Sequence, residues 1–138
     1  MKGRTPPHKT VLIVEDVVIT AVAVADALID AGYTPLGPCC SSAHALALLE
    51  QVRPDYAVLD ITLAECSSLE VARELRRRDI PFLVYSGWAP LDPMPQELVG
   101  VPWLEKPFSF DTLVEGLEGL GHLSRRQAQA QSPLPVCT

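Results

Sequence analysis

The chain has 138 residues, a formal net charge of -6 and a pI near 4.9. That length suits one domain with one core, and the acidic balance argues against a nucleic-acid surface, which needs clustered lysine and arginine. No stretch approaches the roughly 20 apolar residues of a membrane span, so a cytoplasmic protein with no membrane partner is expected. The four cysteines, Cys39, Cys40, Cys66 and Cys137, match no zinc spacing and no disulfide framework.

Residues 1–9 read as an extension ahead of the first apolar run, Val11 to Val14, which ends on Glu15 and Asp16. From Asp16 to Ala31 an Ala-, Val- and Leu-rich segment predicts a helix buried on a wide face. It stops at Gly32, which suits the left-handed position after a helix. A second strand spans Tyr33 to Leu36. Ser41 or Ser42 then caps a helix to about Val52, with Ala45, Leu46, Leu48 and Leu49 at helical spacing.

After Pro54 a third strand, Tyr56 to Leu59, ends on Asp60, and a third helix runs from about Leu69 to Arg77. The fourth strand, Phe82 to Tyr85, ends on Ser86 and Gly87. Pro90, Pro93 and Pro95 follow, each costing about 3 kcal/mol inside a helix, so any helix there is short, roughly Pro95 to Val99. Val101 to Leu104 makes a fifth strand ending on Glu105 and Lys106. Ser109 caps a helix from Phe110 to about Leu120, with Asp111 in its first turn. Residues 122–138 read as a polar tail without an output domain.

Strict alternation of strand and helix predicts an α/β protein: five parallel strands and five helices in a doubly wound three-layer sandwich, strand order 2-1-3-4-5. The strand ends then share one edge, where open α/β sheets bind ligands. Glu15, Asp16 and Asp60 should lie within about 5 Å, where each carboxylate pair repels by about 3 kcal/mol at an effective dielectric near 20. Such a cluster needs a cation. Hard oxygens with room for water suit Mg2+, with Mn2+ as an alternative.

In this order and spacing, four motifs resemble the receiver domain of two-component response regulators over Thr10 to about Leu120. They are the acidic pair in Val-Leu-Ile-Val-Glu15-Asp16, the lone Asp60 after Tyr-Ala-Val-Leu, the pair Ser86-Gly87, and Lys106-Pro107-Phe108. The resemblance implies a flavodoxin-like receiver domain over residues 10–121. Asp60 would accept a phosphoryl group from a kinase phosphohistidine. Glu15, Asp16, Asp60 and the backbone carbonyl of Thr62 would hold the metal, and Lys106 and Ser86 would meet phosphoryl oxygens. Trp103 stands at the position of the usual switch aromatic. Thr62 and Trp88 stand where side chains orient or exclude the hydrolytic water. Ile80 to Trp88 is also similar to a subgroup of mostly stand-alone receivers, although Val84, Tyr85 and Ser86 replace the Phe-Ala-Thr of that pattern.

The resemblance implies a phosphorylation-controlled switch that signals through protein-protein contacts. Its partners would be a sensor histidine kinase or histidine phosphotransfer protein and an unidentified downstream protein, with a homodimer possible. No enzymatic activity beyond autocatalytic phosphotransfer and self-dephosphorylation is expected. Rival readings are a phosphate sink for a shared kinase, a scaffold that takes no phosphate, and an aspartyl-phosphate phosphohydrolase. The last expects a second acid two residues after the nucleophile, where this chain has Thr62.

Overall fold

A computed structural model describes residues 9–61, 68–87, 93–106 and 109–131, with side chains described as far as Gly121. One parallel sheet contains β1 (Thr10–Val14), β2 (Thr34–Cys39), β3 (Tyr56–Asp60), β4 (Phe82–Ser86) and β5 (Trp103–Glu105), in the order β2-β1-β3-β4-β5. The strand order is the expected one. Central strands buried on both faces are unbroken apolar runs, and their side chains alternate between two cores. Leu12, Val14, Ala57, Leu59 and Val84 face one side; Val11, Ile13, Val58, Leu83 and Tyr85 face the other.

Helices α1 (Val18–Asp30) and α4 (Phe110–Gln131) cover the second side through Val24, Leu28, Leu113 and Leu117. The first side is covered by α2 (Ser42–Leu49) and α3 (Ser68–Arg77) through Ala45, Leu49, Val71 and Leu75. Between β4 and β5 the described residues form only a 3₁₀ turn, Gln96–Leu98, so four α-helices are described where five helices were expected. The prolines account for its shortness. Leu98 is buried in the core, Arg73 pairs with Glu97 at 2.9 Å, and Arg76 donates to the Val99 carbonyl at 2.9 Å.

Several boundaries differ from the sequence reading for physical reasons. β2 runs on to Cys39 through Gly37 and Pro38, because an edge strand has only one ladder to satisfy and tolerates proline. Its register slips there: Leu12 pairs with Leu36 and Val14 with Cys39, leaving Gly37 and Pro38 opposite Ile13. Gly37 has φ +97°, and a Cβ on it would lie 2.6 Å from the Cys39 amide nitrogen, so the bulge requires glycine.

β5 starts two residues late, at Trp103, because the Val101 amide is spent on the Leu98 carbonyl and Pro102 has no amide to give. α2 ends at Leu49, and turn hydrogen bonds from Glu50, Gln51 and Val52 follow it. α4 continues past Leu120 to Gln131. Residues 124–131 are rich in the good helix formers Ala, Gln and Arg, with no Gly or Pro before Pro133.

The wide buried face expected of α1 is narrow instead. Ala21, Val24 and Leu28 are buried, whereas Val18, Ile19 and Val22 are exposed, Ile19 by 83%. Gly32 does take a positive φ, 95°, after this helix, and Ser41 and Ser109 cap α2 and α4 by accepting from the His44 and Thr112 amides.

Candidate functional site

The carboxyl ends of β1, β3 and β4 carry the candidate residues to one edge. Asp60 ends β3 and pairs in register with Tyr85 of β4. Glu15 follows β1, held by its amide to the Cys39 carbonyl at 2.9 Å. The bulge at Gly37 thus has a use: by resetting the register it brings the Cys39 carbonyl to the Glu15 amide.

One ligand oxygen from each of Glu15, Asp16 and Asp60 lies within 4.8 Å of the others, close to the expected separation. Glu15 is buried and Asp16 exposed. Lys106 approaches from β5, its Nζ 3.5 Å from Asp60 Oδ2. Its amide donates to the Ser86 carbonyl at 2.7 Å, which locks the lysine backbone to the end of β4. A cavity of about 410 Å³ opens beside the acids, lined also by Cys40, Ser41, Ser42 and Ser68.

Burial chiefly, then a proton held between it and Glu15, and then repulsion from Glu15 push the Asp60 carboxyl up to about 7, with Lys106 opposing. Asp60 Oδ1 is buried with no hydrogen-bond partner among the described residues. An ionised carboxylate left with one orphaned oxygen among two other acids is poorly satisfied by protein alone. Three hard carboxylate oxygens with open space before them fit a magnesium-sized cation. The residues present therefore suit the metal expected from the sequence.

Ser86 is buried at the same edge, one residue beyond Tyr85. Gly87 is exposed, and a Cβ there would meet nothing within 4 Å among the described residues. Trp103 is half-buried at the start of β5 and packs on the core beside the 3₁₀ turn. Thr62, Trp88, Pro107 and Phe108 lie outside the described residues.

In the sequence Tyr85 stands out only as a departure from the Phe-Ala-Thr pattern, with no role in the site. It is fully buried, yet its hydroxyl donates to Glu15 Oε1 at 2.6 Å and its ring centroid lies 5.0 Å from Lys106 Nζ. Burial first, then the hydrogen bond and charge of Glu15, raise its pKa well above the ordinary tyrosine value, so the phenol stays a donor. The one available signal was a phenol in a strand of otherwise aliphatic and aromatic hydrocarbon, since a buried hydroxyl must find a partner.

Known proteins show the same arrangement of strands. TrrA, a response regulator protein of Thermotoga maritima solved in complex with Mg2+-BeF, is 24% identical with a TM-score of 0.70, covering 81% of this chain and 98% of that one. The chemotaxis response regulator CheY4 of Vibrio cholerae is 27% identical with a TM-score of 0.69, covering 82% and 98%. Among curated proteins, the transcriptional regulatory protein PdtaR of Mycobacterium tuberculosis is 26% identical over 113 residues, 80% of this chain and 55% of PdtaR. The phosphate regulon regulator PhoB of Pseudomonas aeruginosa is 34% identical over 134 residues, 93% of this chain and 57% of PhoB. The chain spans about half the length of the curated relatives it matches. The family model for the response regulator receiver domain matches residues 11–118. Apart from Thr10 that span takes in the whole sheet, and it includes Glu15, Asp16, Asp60, Ser86 and Lys106; the chain belongs to the response regulator receiver domain family.

Proposed function

We propose that this chain is a phosphorylation-controlled signalling switch that accepts a phosphoryl group on Asp60 from a histidine kinase phosphohistidine. One observation carries the reading most directly: Asp60, whose buried Oδ1 has no hydrogen-bond partner among the described residues, sits between an acidic pair and a lysine. A carboxylate oxygen attacks phosphorus, the P–N bond to the donor imidazole breaks, and the nitrogen leaves with its electron pair and takes up a proton. Lys106, anchored at the end of β4, faces the charge that builds on a phosphoryl oxygen, and the Ser86 hydroxyl is the candidate donor to a second.

Glu15, Asp16 and Asp60 would hold Mg2+, with Mn2+ as a substitute and the Thr62 carbonyl as a further ligand. When bound, that ion neutralises both the acids and the incoming phosphoryl oxygens. Glu15 is held at its place by Tyr85 and by the Val17 amide, which donates to Oε2 at 3.0 Å.

The exposed apolar patch of Val17, Val18, Ile19 and Val22 adjoins the site through Asp16. It supports docking of a helical phosphodonor, because an exposed apolar patch beside a reactive group marks an interaction surface. The chain would act in the cytoplasm without nucleic acid or membrane, and without turnover other than its own phosphorylation and dephosphorylation. No described helix is long and apolar enough to cross a membrane.

Incubation with acetyl phosphate or a phosphorylated histidine kinase in the presence of Mg2+ should label the protein once. Chelation or Asp60→Asn should abolish the label; label that survives in Asp60→Asn refutes the assignment.

A further inference from the structure

We propose that Tyr85 is a positioning residue that makes the acidic site select magnesium over calcium, by holding Glu15 so that it cannot close around a larger cation. The inference rests on the reading of Glu15, Asp16 and Asp60 as a cation site.

Glu15 is the most enclosed of the three acids, 2% exposed, and both its oxygens are engaged by donors of the protein itself. Oε1 accepts from the Tyr85 hydroxyl at 2.6 Å and Oε2 from the Val17 amide at 3.0 Å. Neither donor moves easily. The Val17 amide belongs to the backbone entering α1, and the Tyr85 ring is fully buried among Val24, Leu83 and Leu113 in a strand bonded on both sides. A carboxylate fixed at both ends can neither rotate about its last bond nor advance. Each oxygen keeps one lone-pair direction for a cation or its water, but the pair cannot turn together into a chelate.

The two cations differ in what they ask of such a group. Mg2+ keeps several waters and takes one or two carboxylates at about 2.0–2.1 Å, whereas Ca2+ gathers six to eight oxygens at about 2.3–2.6 Å and commonly takes a carboxylate through both oxygens. A pinned Glu15 serves the first through a single oxygen or a water. It denies the second its bidentate ligand.

The hydroxyl is the removable part of this restraint. Tyr85→Phe keeps the buried ring and its place under Lys106, so the fold and the lysine anchor persist while Oε1 loses its donor. Glu15 can then pivot about the remaining bond to Val17 and offer both oxygens.

The test is calorimetric titration of the full chain with MgCl2 and with CaCl2, for wild type, Tyr85→Phe, Glu15→Gln and the double variant, with urea denaturation to confirm folding. The ratio of the calcium to the magnesium dissociation constant is expected to fall about tenfold in Tyr85→Phe, a change of about 1.4 kcal/mol in relative affinity. In the Glu15→Gln background the same substitution should leave the ratio unchanged, since an amide cannot chelate through two oxygens. A change under threefold in Tyr85→Phe overturns the proposal, even if both affinities weaken together. An equal fall in both backgrounds overturns it too, because the effect would then not pass through Glu15. If neither cation binds wild type, the cation site itself is refuted and the proposal with it; binding with an unchanged ratio removes only the role of Tyr85.

Discussion

Replacing Asp60 with asparagine should stabilise the magnesium-free protein, although it removes the phosphoacceptor. The acid oxygens lie within 4.8 Å of one another and Lys106 Nζ lies 3.5 Å from Asp60. At an effective dielectric near 20, the Glu15 repulsion amounts to about 3.5 kcal/mol and the lysine returns about 4.7, so these two charges nearly cancel, while the exposed Asp16 is screened by water. A carboxyl whose pKa rises from 3.8 unfolded to about 7 folded costs the native state about 4 kcal/mol when fully ionised. That cost comes chiefly from desolvation, the largest cause of the shift, and then from the hydrogen bond with Glu15. Because the folded pKa lies above the unfolded one, the stability of the protonated form is fully present below about pH 4 and is lost as pH rises through 7. The gain from Asp60→Asn should therefore be about 4 kcal/mol at pH 8 and about 2 kcal/mol at pH 5. Urea denaturation in EDTA at the two pH values measures it, and millimolar Mg2+ should narrow the gap at pH 8. A wild type as stable as the variant at pH 8 without metal would refute the electrostatic reasoning.

Two further outcomes follow from geometry away from the acids. Gly37→Ala should lower stability by about 2 kcal/mol or more, read as a drop in the urea midpoint, because the residue has φ +97° and its Cβ would meet the Cys39 amide nitrogen at 2.6 Å. Magnesium should also bind this variant more weakly, since the Cys39 carbonyl holds the Glu15 amide. Ile19→Asp, at the 83% exposed centre of the α1 patch, should slow labelling by a phosphorylated kinase at least tenfold and leave labelling by acetyl phosphate unchanged. Equal rates from the kinase would separate that patch from the docking surface.

The sheet edge was legible because β1, β3 and β4 are buried on both faces, so each is an unbroken apolar run whose first polar residue marks its carboxyl end. What escaped depends on partners distant in sequence. β2 passes through Gly37 and Pro38 only because Ile13 lies opposite to absorb the bulge. The exposure of Val18, Ile19 and Val22 could not be read from a helix that is apolar nearly all round, since a docking face and a core face have the same composition. Tyr85 finds its acceptor 70 residues away, a pairing that exists only once β1 and β4 flank β3. Polarity after Leu120 hides the true end of α4, whereas helix propensity favours its continuation to Gln131.

β5 is three residues long, lies at the edge of the sheet and bonds to β4 alone. Short edge strands sit at the low end of local stability, while the strands beneath Asp60 are gripped from both sides. The site therefore has a stiff floor and a compliant wall. A load applied at Lys106 is not shared evenly across the sheet; it strains β5 first, and with it Trp103 and the 3₁₀ turn, whose Leu98 carbonyl holds the Val101 amide two residues ahead of that strand. That turn is gripped in its place by α3 through Arg73 and Arg76.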